Sequence, residues 1–188
     1  MPSSPATLSL LAISGSLRAA SSNTAVLQAL QALAPATIQI KLAPRLPTLP
    51  YFNPDLDQEQ SAPPAAVQAF RAAVAQADGI LLCSPEYAHG VPGVLKNGLD
   101  WLVSSVAIVG KPVAVINCAP RATHAHASLC EILRTMSAVV IEDPALTIEL
   151  PPQHRTAAQL AAAPASAALL EAVLAATVQG IERIQAPG

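Results

Sequence analysis

The chain predicts an α/β domain built on a parallel sheet, and three observations carry that prediction. Strand-like and helical patterns alternate along it as β-α-β-α-β-α-β-α-β-α, the order in which crossover helices join parallel strands. The strand-like runs Leu8–Ser14 and Gly79–Ser84 are almost continuously apolar, as strands covered on both faces are. The length, 188 residues, supports one sizeable core and is short for two.

The elements follow in order. Leu8–Ser14 is the first strand and Asn23–Leu33 the first helix, with Val26, Leu27, Leu30 and Leu33 on one face and Pro35 beyond its end. In Thr37–Ala43, Ile38, Ile40 and Leu42 alternate with polar residues, which predicts an edge strand with one wetter face. Pro44 to about Pro64 is a long irregular segment with six prolines, Tyr51 and Phe52 being its candidates for exposure. It reads either as a functional or interface element or as a Pro-stiffened connection. Pro64–Gln76 is a helix with Pro in its first turn, where the missing N–H does no harm. Gly79–Ser84 is a central strand, Pro92–Val103 a helix, and Lys111–Cys118 a further strand. Ala125–Ser137 is a helix, and Ala138–Glu142 begins the last strand. Gln159–Ile184 is a terminal helix, broken or preceded by a turn near Pro164.

Five strands in one small chain predict a flavodoxin-like three-layer sandwich with sheet order 2-1-3-4-5. In that order a ligand sits at the carboxyl ends of strands one and three, where the winding reverses. Both turns there are unusual. After the first strand comes Gly15-Ser16-Leu17-Arg18-Ala19-Ala20-Ser21-Ser22-Asn23-Thr24. Unpaired N–H groups and the dipole at a helix start favour a phosphate. Ser16, Ser21, Ser22, Asn23 and Thr24 are donors to its oxygens, and Arg18 neutralises charge with a forked donor set. Gly15 is expected to permit a tight turn. An ordinary helix cap needs only one such hydroxyl or amide. The Walker ending and the Gly-x-Gly-x-x-Gly spacing are both missing. After the third strand come Pro85, Glu86, Tyr87, Ala88, His89 and Gly90, then Pro92 and Gly93. Their main chain can approach a flat ligand, and Tyr87 can lie along a ring.

Composition sets bounds on function. Formal net charge is −2 with 12% charged residues, and there is no basic run or aromatic-basic interleaving for nucleic acid. Cys83, Cys118 and Cys130 are an odd count without Cys-x-x-Cys spacing, which argues against a disulfide framework or a zinc site. At strand ends, Cys83 and Cys118 read as small buried apolar residues. No run looks long enough to span a membrane, and the N-terminus lacks a basic n-region, so the expectation is a soluble cytoplasmic protein. His89, His124 and His126 have no carboxylate or Cys at ligand spacing, so no metal site is expected.

Together, Gly15-Ser16-Leu17-Arg18 with Ser21 and Asn23, Pro85-Glu86-Tyr87, and Pro92-Gly93-Val94-Leu95-Lys96-Asn97-Gly98-Leu99-Asp100-Trp101 resemble the NADPH-dependent FMN reductase family. That family includes quinone, chromate and azo-dye reductases. The resemblance runs from about Leu8 to the helix near Met136, and Leu49–Leu56 is in keeping with it. It implies one flavodoxin-like domain over residues 1–188 that binds FMN without covalent attachment. The FMN phosphate maps onto Ser16, Arg18, Ser21, Asn23 and, at the margin, Ser22 and Thr24. The isoalloxazine ring maps onto Pro85, Glu86 and Tyr87, with main-chain groups of the following Ala88 and His89 near its edge. Lys96, Asn97 and Trp101 belong to the motif as structural or interface residues. The implied activity is an NAD(P)H oxidoreductase. Hydride passes from NADPH or NADH through flavin N5 to a small acceptor (quinone, chromate, azo compound or flavin) by a ping-pong mechanism. The flavin carries the chemistry, so no catalytic side chain is required. The implied assembly is a homodimer or homotetramer.

Two departures bear on that reading. Ala88 stands where the family commonly has Asn, which removes one side-chain contact. The turn after strand four, Asn117–His126, lacks the family's Gly-Gly pair. Arg121, His124 and His126 in that turn read as a solvated polar turn or as cations facing the flavin's pyrimidine edge. Glu86 reads as an ion-pair partner of Lys96 or Arg18, or as a base. The rival functions are a flavodoxin-like electron carrier and a regulatory or binding module with impaired flavin binding.

Overall fold

A computed structural model of the chain describes residues 7–58, 62–151, 153 and 156–186. Positions 59–61 of the Pro-rich segment lie outside them. The strands are β1 (Leu8–Ser14), β2 (Ile38–Leu42), β3 (Gly79–Cys83), β4 (Pro112–Ile116) and β5 (Val139–Val140). The helices are α1 (Ser22–Leu33), α2 (Ala65–Gln76), α3 (Gly93–Asp100), α4 (His124–Thr135), α5 (Ala157–Ala162) and α6 (Pro164–Gln185). The sheet has the order β2-β1-β3-β4-β5, and every pairing is parallel. This is the flavodoxin-like arrangement that the alternation predicts.

The side-chain alternation of a strand builds the three layers. Leu10 and Ala12 of β1 face one core with Val26, Leu27 and Leu30 of α1 and Leu170, Val173 and Leu174 of α6. Leu11 and Ile13 face the other core with Val67 and Phe70 of α2, Leu95 and Leu99 of α3 and Leu129 and Leu133 of α4. So α1, α5 and α6 cover one face and α2, α3 and α4 the other. β2 is the expected wet edge strand, with only Ile40 of its residues buried.

Several boundaries differ from the sequence reading. α3 stops at Asp100 rather than Val103, and the chain continues as a turn. β4 ends at Ile116, after which Asn117 bridges to Thr147 beyond β5. β5 has only two residues. The terminal helix is broken before Pro164 as expected: α5 ends at Ala162, and Ala163 caps both segments. The expectation that no run is long enough to cross a membrane is corrected by α6. Its 22 residues include a window of mean hydropathy 1.4, of which 44% is buried. That apolar content arises because one face of α6 packs on the sheet and on α1.

The Pro-rich segment forms short 3-10 turns at Leu46–Thr48 and Pro54–Leu56. Tyr51 is 91% exposed. Phe52 is half-buried instead, its ring edge-on to Trp101 with centroids 5.1 Å apart. Asn97 donates through Nδ2 to the Pro50 carbonyl (3.0 Å) and accepts the Phe52 amide (2.7 Å). Trp101 Nε1 also donates to the Pro50 carbonyl, at 2.8 Å. These two motif residues are therefore tethers for the segment. Lys96 pairs with Asp100 at 2.5 Å on the same helix.

Candidate functional site

The β1–α1 turn is built by hydroxyls bonding to one another and to the backbone. Ser21 is the N-cap of α1, its Oγ accepting the Thr24 amide at 3.3 Å. Its carbonyl accepts the Ala25 amide at 2.9 Å. Ser14 Oγ and Thr24 Oγ1 share a hydrogen bond of 2.8 Å. Ser14 Oγ accepts the Ser16 amide, and Ser16 Oγ accepts the Arg18 amide, both at 3.3 Å. Asn23 turns inward, where its Oδ1 accepts the Cys83 thiol at 3.1 Å. The six sequence candidates thus divide. Ser21, Asn23 and Thr24 spend their side chains on the turn and core. Ser16 lies half-buried at the turn surface, and Arg18 and Ser22 are exposed. The N–H groups of Ser22 and Asn23 stand in the first helical turn, where no intrahelical acceptor exists.

Gly15 has a different reason from the expected tight turn. Its φ is not in the left-handed region; the need is close approach. A Cβ there would lie 2.6 Å from Ser84 Oγ and 3.0 Å from Leu95 Cδ2, and the Gly15 amide donates to the Cys83 carbonyl at 2.9 Å. Gly15 is the point where the first turn meets the end of β3. Ser84 has no motif signal of its own, so sequence reading passes over it.

The loop after β3 carries a two-residue hairpin turn. Tyr87 and Gly90 exchange both main-chain hydrogen bonds, at 3.1 and 2.9 Å. Between them Ala88 and His89 have φ of 48° and 60°, the pair of positive values that a type I′ turn demands. An Asn at the first position would occupy this region at less cost than the Ala88 that stands there. Tyr87 is 57% exposed. Pro85 and Glu86 are half-buried.

Glu86 forms neither of the expected ion pairs. Its Oε2 accepts the Ala125 amide at 2.8 Å. The local N-cap of α4, Thr123, makes no side-chain bond, so a residue from the neighbouring loop satisfies that helix start. The His89 and His124 rings stack with centroids 4.1 Å apart. The β3 loop is therefore fastened to α4 at two points, which the spacing of residues 86, 89, 124 and 125 gives no means of foreseeing. Asn117 organises the turn after β4. Its Oδ1 accepts the Ala119 amide at 3.0 Å, and its main chain exchanges bonds of 2.9 Å with Leu146 and Ile148. His126 lies beside Cys130 at 3.7 Å, and burial, aided by Arg134, holds its imidazole below the ordinary range.

A cleft of about 290 Å³ adjoins the first turn. Ser14, Ser16, Arg18 and Thr24 line one side, and Leu42 to Pro47, including Arg45, the other. It reaches Leu42 at the end of β2, and none of residues 85–89 lines it. The β3 loop instead presents its residues from Tyr87 to His89 at the surface. An anion suits this lining: Arg18, Arg45 and the hydroxyls of Ser14, Ser16 and Thr24, without a carboxylate among them. A flat group suits the neighbouring loop, whose ridge is a rigid turn with an exposed phenol ring.

A family model described as NADPH-dependent FMN reductase matches residues 8–152. The chain is 37% identical over 110 residues to a quinone reductase of Escherichia coli K12, a match covering 57% of this chain and 58% of that one. It is 39% identical over 111 residues to an NAD(P)H-dependent FMN reductase of Pseudomonas aeruginosa, covering 58% of each. The chain thus spans 58% of the length of these curated relatives. Among solved structures, FerB, a flavoenzyme NAD(P)H:(acceptor) oxidoreductase from Paracoccus denitrificans, is similar with a TM-score of 0.81. Its sequence identity is 28%, over 94% of this chain and 98% of that one.

Proposed function

Because the chain belongs to the NADPH-dependent FMN reductase family, we propose that it binds FMN at the carboxyl ends of β1 and β3 and passes electrons from NAD(P)H to a small acceptor. The observation that carries this reading is the contact of Gly15 with Ser84, which brings the anion-suited turn against the flat-ligand loop. FMN held by Arg18, Ser16, Ser22 and the loop from Pro85 to His89 would supply the hydride-accepting chemistry that no side chain here provides.

The chain's own residues bind and orient. Arg18 neutralises phosphate charge, and Ser16 and Ser22 donate hydroxyls beside the free amides of α1. Ser21, Thr24 and Asn23 hold that turn in shape through the bonds described. Pro85 to His89 form the ring-side surface. Glu86 positions that surface by capping α4, and no side chain is assigned as general acid or base. The acceptor class is a quinone, as the name of the E. coli relative suggests. Chromate, azo compounds and free flavin are further candidates, with ping-pong order. We extend the proposal to a cytoplasmic homodimer or homotetramer.

The test is visible absorbance of the purified protein before and after FMN addition and desalting, followed by anaerobic NADPH and then a soluble quinone. Retained flavin bands that bleach with NADPH and return with quinone are expected. Bands that never bleach favour an electron carrier. Protein that retains no flavin overturns the reading.

A further inference from the structure

Two thiols meet at the carboxyl end of the sheet, on the face that α1 covers. Cys83 closes β3 and is fully buried. Cys118 lies just past the end of β4 and is half-buried. Their sulfurs are 3.1 Å apart. Cys130 belongs to the core on the opposite face. The Cys83 proton is directed at Asn23 Oδ1, which leaves the Cys118 thiol as donor to the Cys83 sulfur. The result is an ordered chain from the half-exposed thiol to the buried one and on to the first turn of α1. A disulfide S–S bond is about 2.05 Å long, so the sulfurs need to close by only about 1 Å.

We propose that Cys83 and Cys118 are a reversible dithiol–disulfide site that takes hydroperoxides as oxidants, Cys118 reacting first and Cys83 resolving. The Cys118 sulfur attacks one peroxide oxygen. The O–O bond breaks, the other oxygen leaves as alcohol or water carrying the thiol proton, and Cys118 becomes a sulfenic acid. The Cys83 sulfur then attacks the Cys118 sulfur. The S–O bond breaks, and the hydroxyl departs with the Cys83 proton as water. Two thiols have lost two electrons and two protons, and the hydroperoxide has gained them.

The division of roles follows from access. Cys118 keeps part of its surface in solvent, whereas Cys83 has no exposed surface, so Cys118 is the thiol that a peroxide meets. Cys83 is held against Cys118 by the sheet, so the second step is intramolecular and outpaces further oxidation of the sulfenic acid. The crosslink also has a structural consequence. A disulfide sulfur carries no proton, so Asn23 loses its donor inside the turn that caps α1. The site does not depend on the proposed flavin chemistry and is tested without flavin.

The experiment uses the full chain, reduced and desalted, then treated with near-stoichiometric hydrogen peroxide. It is denatured and alkylated with N-ethylmaleimide, and mass is read on the intact chain and its peptides. One alkylated cysteine in place of three is expected, with a mass before alkylation lower by two hydrogen atoms and a peptide joining Cys83 to Cys118. Dithiothreitol should restore three alkylated thiols. In Cys83→Ser, Cys118 should instead accumulate as a sulfenic acid trapped by dimedone. Three free thiols after peroxide, a link through Cys130 or between two chains, or Cys118 sulfinic acid without a crosslink would overturn the proposal. The wild-type arm decides it even where the variant does not fold.

Discussion

Ala88 is a residue whose side chain opposes its backbone. At φ 48° an L-residue other than Gly or Asn costs roughly 1–2 kcal/mol, and the hydrogen-bonded turn from Tyr87 to Gly90 imposes that cost. Ala88→Gly removes the clash while adding freedom to the unfolded chain. The expected net gain is about 0.5–1 kcal/mol in urea denaturation, and a loss would show that the turn is not strained. Asp57 is the opposite case, a charged group the structure satisfies. The Arg71 side-chain hydrogen bond at 2.8 Å holds its carboxyl below the ordinary range, against burial, and Ser104 and the Arg71 charge assist. A depressed folded-state pKa gives stability that is complete above the ordinary carboxylate pKa of about 3.9. It is lost as pH falls through the lower folded value. Asp57→Asn should therefore be less stable than wild type at pH 7, and the two stability curves should converge below about pH 4.

At the scale of elements, the arrangement depends on loops that complete their neighbours. α4 begins without a cap of its own, and Glu86 supplies it from the β3 loop. A carboxylate at a helix start satisfies an orphan donor and meets the favourable end of the dipole. Glu86→Ala is expected to cost about 1 kcal/mol and to raise hydrogen exchange at the Ala125 amide, with Glu86→Gln recovering most of the protection. Exchange unchanged in Glu86→Ala would sink the assignment. The Pro-rich segment is another such loop. It reads ambiguously from sequence because prolines say where a chain is stiff and not what it rests against. Asn97 and Trp101 decide the matter by holding Pro50 and Phe52 on α3, which is why Phe52 is sheltered while Tyr51 stays in water.

For the whole molecule, the sheet and its two covering layers depend on close approach as much as on apolar area. Gly180 of α6 is one such point, where a Cβ would stand 2.5 Å from Ile141 Cγ2. Gly180→Ala should lift α6 from the sheet and cost about 1–3 kcal/mol, as overpacking does, measured as a lower midpoint of thermal unfolding. An unchanged midpoint would mean that Ile141 yields freely.

The sequence by itself determined the strand order, the two covered faces and the position of the turns that follow β1 and β3. Those follow from hydrophobic periodicity and from the crossover rule, which are properties of local runs. It also named Ser16, Arg18, Ser22 and Tyr87 within those turns, and the structure leaves Arg18, Ser22 and Tyr87 exposed and Ser16 half-buried there. Only the tertiary structure decided the rest. Asn23 turned to Cys83, Glu86 became the cap of α4, Gly15 proved to be a contact with Ser84, and Cys118 reached Cys83 across 35 positions of chain. Each of these is a pairing between distant segments. Its partner is chosen by distance in space, which no spacing along a single chain expresses.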